Sequence, residues 1–406
     1  MNKVQVASIA IVLTLVAMSF MIVPISAETT RWQSVENYMK ENYDDPIDNG
    51  EGGYSFPDTE TSRLYPTVGA MMVYEEMDML SFRPPVTDLV KIKNFTRKLQ
   101  WKSGGEDYER WGGFSLYIAG PVSIENSYWA IKMWQLMEEQ SDIPDMADVE
   151  AINATAALVY VNKTQTTSGG FGSADGAPAN LISTFYALYI MNAMLDMTEG
   201  SINDWLWNST ATMQYILNCT DGDAFKLTPE SHIPSLSATA AGLLALNELN
   251  QLNVLSPTEQ QAMRNWIVEK QVTTSGDQLD IGGFTESILT NDTNLESTFH
   301  ALEILSLIGG IDSIDADLAS RFIVDCQAHD GAWGNTPGIE EGSLFYAGLA
   351  LKSLNLLDPI NHSYRNLMYE ADPNNPAPPL IDWRILFIAV LIIAAMAVAV
   401  VALRMD

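Results

Sequence analysis

The chain has 406 residues, 47% of them hydrophobic, and a formal net charge of −30 at pH 7. That charge excludes nucleic acid as a partner, because phosphates would be repelled, and it disfavours docking onto an anionic lipid surface. The apolar content is ample for a core, and 2 cysteines are too few for a disulfide framework.

In chain order, Lys3 opens onto an apolar run over residues 4–23, and Ile25-Ser26-Ala27 precedes the polar Glu28. A basic start, an apolar stretch and small residues predict a secretory signal over residues 1–27, or an anchor helix if it stays uncleaved. One motif then recurs through residues 28–357. Gly-Gly-aromatic stands at Gly52-Gly53-Tyr54, Gly112-Gly113-Phe114, Gly169-Gly170-Phe171 and Gly282-Gly283-Phe284. Weaker copies are Gly222-Asp223-Ala224-Phe225 and Gly331-Ala332-Trp333. The aromatics are 60, 57, 54, 59 and 49 residues apart, long enough for two helices with their loops. Self-similarity at such a period predicts one closed array of six repeats.

Each repeat has the same grammar: an amphipathic helix ending in Gln or a substitute, a glycine turn, then a more apolar helix. Repeat three reads Tyr160-Val161, Gln165, the glycine pair, then Ser183-Thr184-Phe185-Tyr186-Ala187-Leu188. A column of Ser183, Ser237, Ser297 and Ser343, with Pro66 and Asn126 in the first two repeats, is expected to cap the second helices. Those helices, such as 183–194 and 297–307, are apolar on nearly every face and predict burial. The preceding ones carry Arg264, Lys270, Arg321 and Asp325 and face water on one side. The prediction is an all-α, six-repeat (α/α)6 toroid, with Gln and the aromatic binding neighbouring repeats together. Cys219 and Cys326 hold equivalent places in repeats four and six. Those repeats are not neighbours in a ring, so two free, buried thiols are expected.

Beyond residue 357 the grammar stops. A Pro- and Asn-rich stretch at 372–379 predicts an extended stalk over 358–384. Residues 385–403 are nineteen apolar residues without a charge, enough for a transmembrane helix. Arg404 favours a cytoplasmic tail at 404–406. The expected protein is single-pass in the cell membrane, its partner the bilayer, with the ring outside the cytoplasm. Seven sequons suit that placement as glycosylation candidates: Asn94, Asn153, Asn162, Asn208, Asn218, Asn291 and Asn361.

The string Phe322-Ile323, Gln327, Gly331-Ala332-Trp333 resembles the QW repeat of squalene and oxidosqualene cyclases. The Gly-Gly-Phe cadence with Ser297-Thr298-Phe299-His300-Ala301-Leu302 is similar to β subunits of protein prenyltransferases. Both belong to the α/α-toroid superfamily of prenyltransferases and terpenoid cyclases, and the resemblance covers residues 32–357. It implies the fold, while the family's functional residues do not carry over. No Asp-x-Asp-Asp acid occurs, and Asp221-Gly222-Asp223 reads as a structural turn. The zinc pair of the prenyltransferases falls on Asn294/Glu296 or on Thr293/Leu295, and the zinc His on Phe345. Residues 285–294, where relatives grip a diphosphate, hold no Lys or Arg and carry Glu286 and Asp292. The thioester string Gly-Cys-Gly-Glu-Gln is absent too. No metal or other cofactor is expected.

The column before the motif Ala is Gly69, Trp129, Tyr186, Ala240, His300 and Tyr346. Trp129, Tyr186, His300 and Tyr346 are expected to form an aromatic wall of the central cavity, the alternative being burial between the two helix rings. Such a wall suits an isoprenoid chain or other lipid, a carbocation, a peptide or a glycan face. His300 and Tyr346 are the candidate acid and base if the chain is an enzyme, of isoprenoid or glycan type. Asp325, Cys326 and His329 offer an incomplete metal set near a turn. Glu340 and Glu341 either favour a helix N-terminus or, with Asp175 and Asp292, make an acidic cavity mouth selecting cations. The first expectation is ligand binding in the cavity without the family's zinc or acid chemistry.

Overall fold

The structure, a computed structural model, describes residues 29–44, 52–57, 59, 61–80, 89–104, 108–140, 149–198, 200–274 and 277–375. The expected signal or anchor at 1–27, the span at 385–403 and the tail at 404–406 lie outside the described residues. Among the described residues no helix is long and apolar enough to cross a membrane.

The main unit runs over Arg31–Glu370. Outer and inner helices alternate along it: α1 Arg31–Glu41, α2 Leu64–Glu76, α3 Leu89–Leu99, α4 Ile124–Glu138, α5 Ala154–Lys163 and α6 Leu181–Thr198. The second half continues with α7 Ser209–Asn218, α8 Leu236–Glu248, α9 Pro257–Val268, α10 Leu295–Ile308, α11 Ala316–Asp325 and α12 Leu344–Leu357. Even-numbered helices pack side by side in chain order, and α12 packs on α2, which closes an inner ring. The odd-numbered α3, α5, α7, α9 and α11 each pack outside the inner helix that follows. The predicted toroid of helix pairs is therefore the observed fold. Short two-stranded hairpins carry the motif aromatics, as in Phe171 opposite Asn180.

One node repeats around the ring. A hydroxyl in the first turn of an inner helix accepts the backbone N–H of its motif aromatic. The pairs are Thr67 with Tyr54, Ser127 with Phe114, Thr184 with Phe171, Thr239 with Phe225 and Thr298 with Phe284, at 2.9–3.1 Å. The same hydroxyls donate to the carbonyl four residues back, at 2.7–2.8 Å. Repeat six has Ala347 at this place and ties Trp333 instead through its indole N–H to the Ile323 carbonyl, 2.9 Å.

The node shows that the Ser column was misplaced by sequence. The observed caps are Ser123, Asn180, Ser235, Asn294 and Ser343, while Arg63 precedes α2 without a side-chain cap. Ser183 and Ser297 donate backbone N–H groups to the caps three residues before them, at 2.8 and 2.7 Å. Only Ser343 of the expected column is a cap. In repeats two, three and five the column stands three residues past the cap, and loops of different length in repeats four and six moved it onto Ser237 and Ser343.

The glutamines join neighbours as expected. Gln100 donates to the carbonyls of Gly112 and Asn153 and accepts from the Asn153 N–H. Gln271 does the same with Gly282 and Asp315. Gln327 bonds Gly331 and, at 3.3 Å, the Arg31 carbonyl, so the last repeat clasps the first. Two glycines permit these approaches. A Cβ on Gly282, whose φ is +99°, would stand 2.0 Å from the Leu318 carbonyl oxygen. A Cβ on Gly69 would meet the Leu344 carbonyl oxygen at 2.1 Å, so glycine is what lets α12 lie against α2.

Residues 358–370, expected as stalk, instead pack on the ring. Ser363–Tyr369 forms a 3-10 segment whose Met368 is buried. Arg365 donates to the Glu76 carbonyl at 2.9 Å and pairs with Asp78 at 2.6 Å. Arg31 N–H donates to the Glu370 carbonyl at 3.1 Å, so this unit begins and ends at one place. Cys219 and Cys326 are free and buried, as expected.

Replacing Thr184 with Val leaves the buried Phe171 N–H without its acceptor and should lower unfolding stability by about 1–3 kcal/mol in urea titration. Gln327→Ala should cost stability in the same range. A Thr184→Val variant as stable as the parent would show the node to be incidental.

Candidate functional site

Side chains of inner helices that are not neighbours meet only across the lumen. Counting from each cap, positions two, five, six and nine fall on one helical face, since residues three and four apart are stacked. Trp129 on α4 and Phe345 on α12 have ring centroids 5.0 Å apart although α2 lies between their helices. Phe345 also meets Tyr65 on α2 at 5.3 Å. Tyr128 on α4 stacks on Tyr186 of α6 at 4.3 Å, and edges of Trp129 and Tyr189 reach it at 4.9 Å. An aromatic arc thus runs from α12 through α2 and α4 to α6. Tyr186 retains some solvent access, yet burial raises its phenol well above the usual value.

The expected wall is partly regrouped. Trp129, Tyr186 and His300 do share a level, six residues past their caps. Tyr346 lies only three past Ser343, so it sits one turn nearer the mouth, and Leu349 holds the expected level in α12. Likewise Ala241, not Ala240, is the α8 member. Trp129 and Tyr186 are linked through Tyr128, and Tyr346 joins the arc through Phe345 at 5.9 Å. His300 touches Phe299 at 5.5 Å; its Nδ1 is buried without a hydrogen bond, 4.0 Å from Glu303 Oε2. It shares no hydrogen bond with Tyr346.

The sequence did not single out the next level down. Lys132, Tyr189, Glu303 and Lys352 follow three residues after the Trp129 level. Lys132 Nζ donates to Tyr128 Oη at 3.1 Å and lies 5.6 Å from the Trp129 ring centre. The Lys132 charge, followed by burial, holds the Lys352 amine below its ordinary value, against the pull of Glu303, Glu76 and Glu75. Burial, then Glu76, pushes the Glu75 carboxyl up to about 7, against Lys352 and Lys132. The signal was available as an i, i+3 step along each inner helix once helical phase is known.

Polar bridges finish both ends. Asn192 donates to the Glu248 carbonyl and carboxylate, both at 2.8 Å, and Asn355 does so to Glu76 at 2.9 and 2.7 Å. At the other mouth the Glu286 carboxylate accepts from Ser237 at 2.5 Å and Ser297 at 2.8 Å, tying α8 to α10. Asp175, Asp292, Glu340 and Glu341 are all exposed.

The residues at the zinc positions do not fit that metal. Asn294 spends its side-chain oxygen on the Ser297 N–H, Thr293 bonds Asp280, and Phe345 is a ring of the arc. No thiolate or imidazole is offered there, whereas zinc sites need such donors. Among the described residues no group of three His, Cys, Asp or Glu is placed to hold a metal, Asp325, Cys326 and His329 included.

Because Glu75 is protonated more readily in the folded chain than the unfolded, its ionisation opposes folding above about pH 5 and fully above its raised value near 7. Glu75→Gln should therefore melt higher than the parent at pH 8 and lose that advantage at pH 4. An advantage independent of pH would refute the assignment.

A family model described as the prenyltransferase alpha-alpha toroid domain matches residues 10–209 and 187–384. Candida albicans protein geranylgeranyltransferase-I, solved in complex with GGPP, is 16% identical over 72% of this chain and 83% of that one, with a TM-score of 0.56. The type II terpene cyclase MstE from Scytonema, with geranylgeranyl dihydroxybenzoate, is 11% identical over 81% of this chain and 97% of that chain, TM-score 0.47. The ent-copalyl diphosphate synthase of Streptomyces platensis is 10% identical over 71% and 50%, TM-score 0.45. No curated protein matches. The glutamine clasp, the closed inner ring and the family match over most of its length agree: the chain belongs to the prenyltransferase alpha-alpha toroid domain family.

Proposed function

We propose that this chain is a membrane-tethered ring, held outside the cytoplasm, that binds the apolar body of a ligand in its lumen. The observation that carries the reading is the arc of Tyr65, Tyr128, Trp129, Tyr186 and Phe345, drawn from four helices onto one chamber wall. Aromatic faces bind apolar and planar groups with large area and little entropy cost. The Candida relative was solved with GGPP, and an isoprenoid-type chain is the ligand class assigned to this lumen. Binding without the family's metal chemistry follows from Asn294, Thr293 and Phe345 at the zinc positions.

The tether rests on the uncharged run at 385–403 and Arg404. Of the sequons, Asn153, Asn208, Asn218, Asn291 and Asn361 are exposed, whereas Asn94 and Asn162 are half-buried beside buried Thr96 and Thr164. The five exposed ones are the acceptors proposed for glycans.

An enzymatic role is favoured by one feature, the unpartnered Nδ1 of His300 beside Glu303. Turnover of an isoprenoid diphosphate or a polysaccharide that His300→Ala abolishes would replace the binding role.

Full-length protein in neutral detergent should bind geranylgeraniol saturably, with quenching of tryptophan fluorescence. Trp129→Ala with Tyr186→Ala should weaken it by about ten-fold, as expected for losing one to two kcal/mol of aromatic contact. Absence of saturable binding by any apolar chain would overturn the reading.

A further inference from the structure

We propose that the groove beside Asn291 is the seat of a glycan joined to that residue, so that its first sugars form part of the folded surface. This rests on the reading that holds the ring outside the cytoplasm, and it names which of the five exposed acceptors keeps its glycan against the protein.

Three observations converge on Asn291. The first is its amide. Asn153 and Asn208 spend their side-chain oxygens as helix caps, accepting from the N–H groups of Ala156 and Ala211. Asn218 accepts from Gln214, and Asn361 donates to Asp358. Of the five, Asn291 alone makes no side-chain hydrogen bond among the described residues.

The second is the groove. Asn291 borders an open groove of about 500 Å³, formed with Glu269, Lys270, Thr274, Thr285 and Ile288. Sites of roughly 300–1,000 Å³ hold small organic groups. The Thr274 and Thr285 hydroxyls make no hydrogen bond among the described residues, so both can donate to and accept from an occupant. Glu269 and Lys270 bring one charge of each sign, which suits a neutral, hydroxyl-rich group better than an ion.

The third is the loop tip. Ile288 and Leu289 are 66% and 70% exposed, among the barest large apolar side chains of the ring. Their turn is held by Thr290, whose hydroxyl donates to the Ser287 carbonyl at 3.3 Å and accepts the Ser287 N–H at 3.2 Å. A sugar seated in the groove covers Ile288 with its C–H face while its hydroxyls meet the threonines.

Repeat two has the same groove without an acceptor. Trp101 stands there for Val272, each donating its backbone N–H to a motif glycine carbonyl, and the groove holds about 290 Å³. Gly120 stands three residues before the cap, where repeat five has Asn291. Transfer forms a bond from Asn291 Nδ2 to the anomeric carbon of a sugar diphosphate donor, with loss of one Nδ2 proton and of the diphosphate. In the folded chain the sequon hydroxyl of Thr293 is buried and bonded to Asp280 at 3.0 Å, so transfer precedes closure of this turn.

The test uses full-length protein from a host that glycosylates secreted chains, with glycopeptide mass spectrometry, thermal unfolding and hydrogen exchange. Asn291 should be occupied. Asn291→Gln should lower Tm by about 2 °C or more and speed exchange at residues 287–290. Thr210→Ala, which removes the Asn208 sequon and keeps its cap, should cause neither loss. In a host that adds no glycan, Asn291→Gln and the parent should melt alike, which separates the sugar from the asparagine. Val272→Trp, copying repeat two, should melt at one temperature with and without the glycan. A bare Asn291 beside an occupied Asn153 or Asn208 would overturn the seat and leave the placement outside the cytoplasm standing. An occupied Asn291 whose removal changes neither readout would do the same. Five bare acceptors would remove both.

Discussion

The whole architecture depends on a junction in which one repeat's glutamine reaches the start of the next outer helix while a glycine carbonyl holds its amide. Gln100, Gln271 and Gln327 make it with the same partners each time. A linear array could leave its last junction open. Here Gln327 meets Arg31, so every repeat has two neighbours and no end needs a capping face. The junction is short-ranged, but repetition makes its small angular consequence add up to closure.

Closure then dictates the lumen. Once six inner helices surround a space, the phase of the first five is fixed by the hydroxyl held to the motif aromatic, and that of α12 by its Ser343 cap. A threonine that satisfies Phe171 or Phe284 thus also decides which residues two, five, six and nine places from the cap face inward. The result is a layered interior: serines and Glu286 at one mouth, rings in the middle, lysines and carboxylates deeper, and Asn–Glu bridges at the far end. Structural hydrogen bonding and ligand chemistry share the same register, yet different residues carry them.

The sequence made the ring legible because its marks are backbone constraints. Glycine pairs and glutamines recur wherever two chains must approach, and their spacing survives divergence. Trp129, Tyr186 and His300 were found because they lie at a constant distance from the cap. Tyr346 and Ala240 were misassigned because the loops before α8 and α12 differ in length, and Ser237 and Ser343 absorbed the offset. The hydroxyl node escaped notice since Thr and Ser next to a serine column look like more of the same cap chemistry. Lys132, Lys352 and Glu75 could not be recognised without helical phase: on an apolar helix an isolated charge reads equally well as facing inward or outward.

The bond between the Arg31 N–H and the Glu370 carbonyl has a mechanical meaning. Entry and exit of this unit coincide at one clasp, where Arg31 also reaches the Leu367 carbonyl at 3.4 Å and the Glu370 carboxylate at 3.5 Å. Tension that pulls the two flanking segments apart therefore loads this clasp first, one bond after another, before it reaches the inner helices. The order of repeats is equally a matter of where the polypeptide happens to be cut. Rejoining 370 to 31 through a brief linker and opening any outer loop would give a circular permutant with the same chamber.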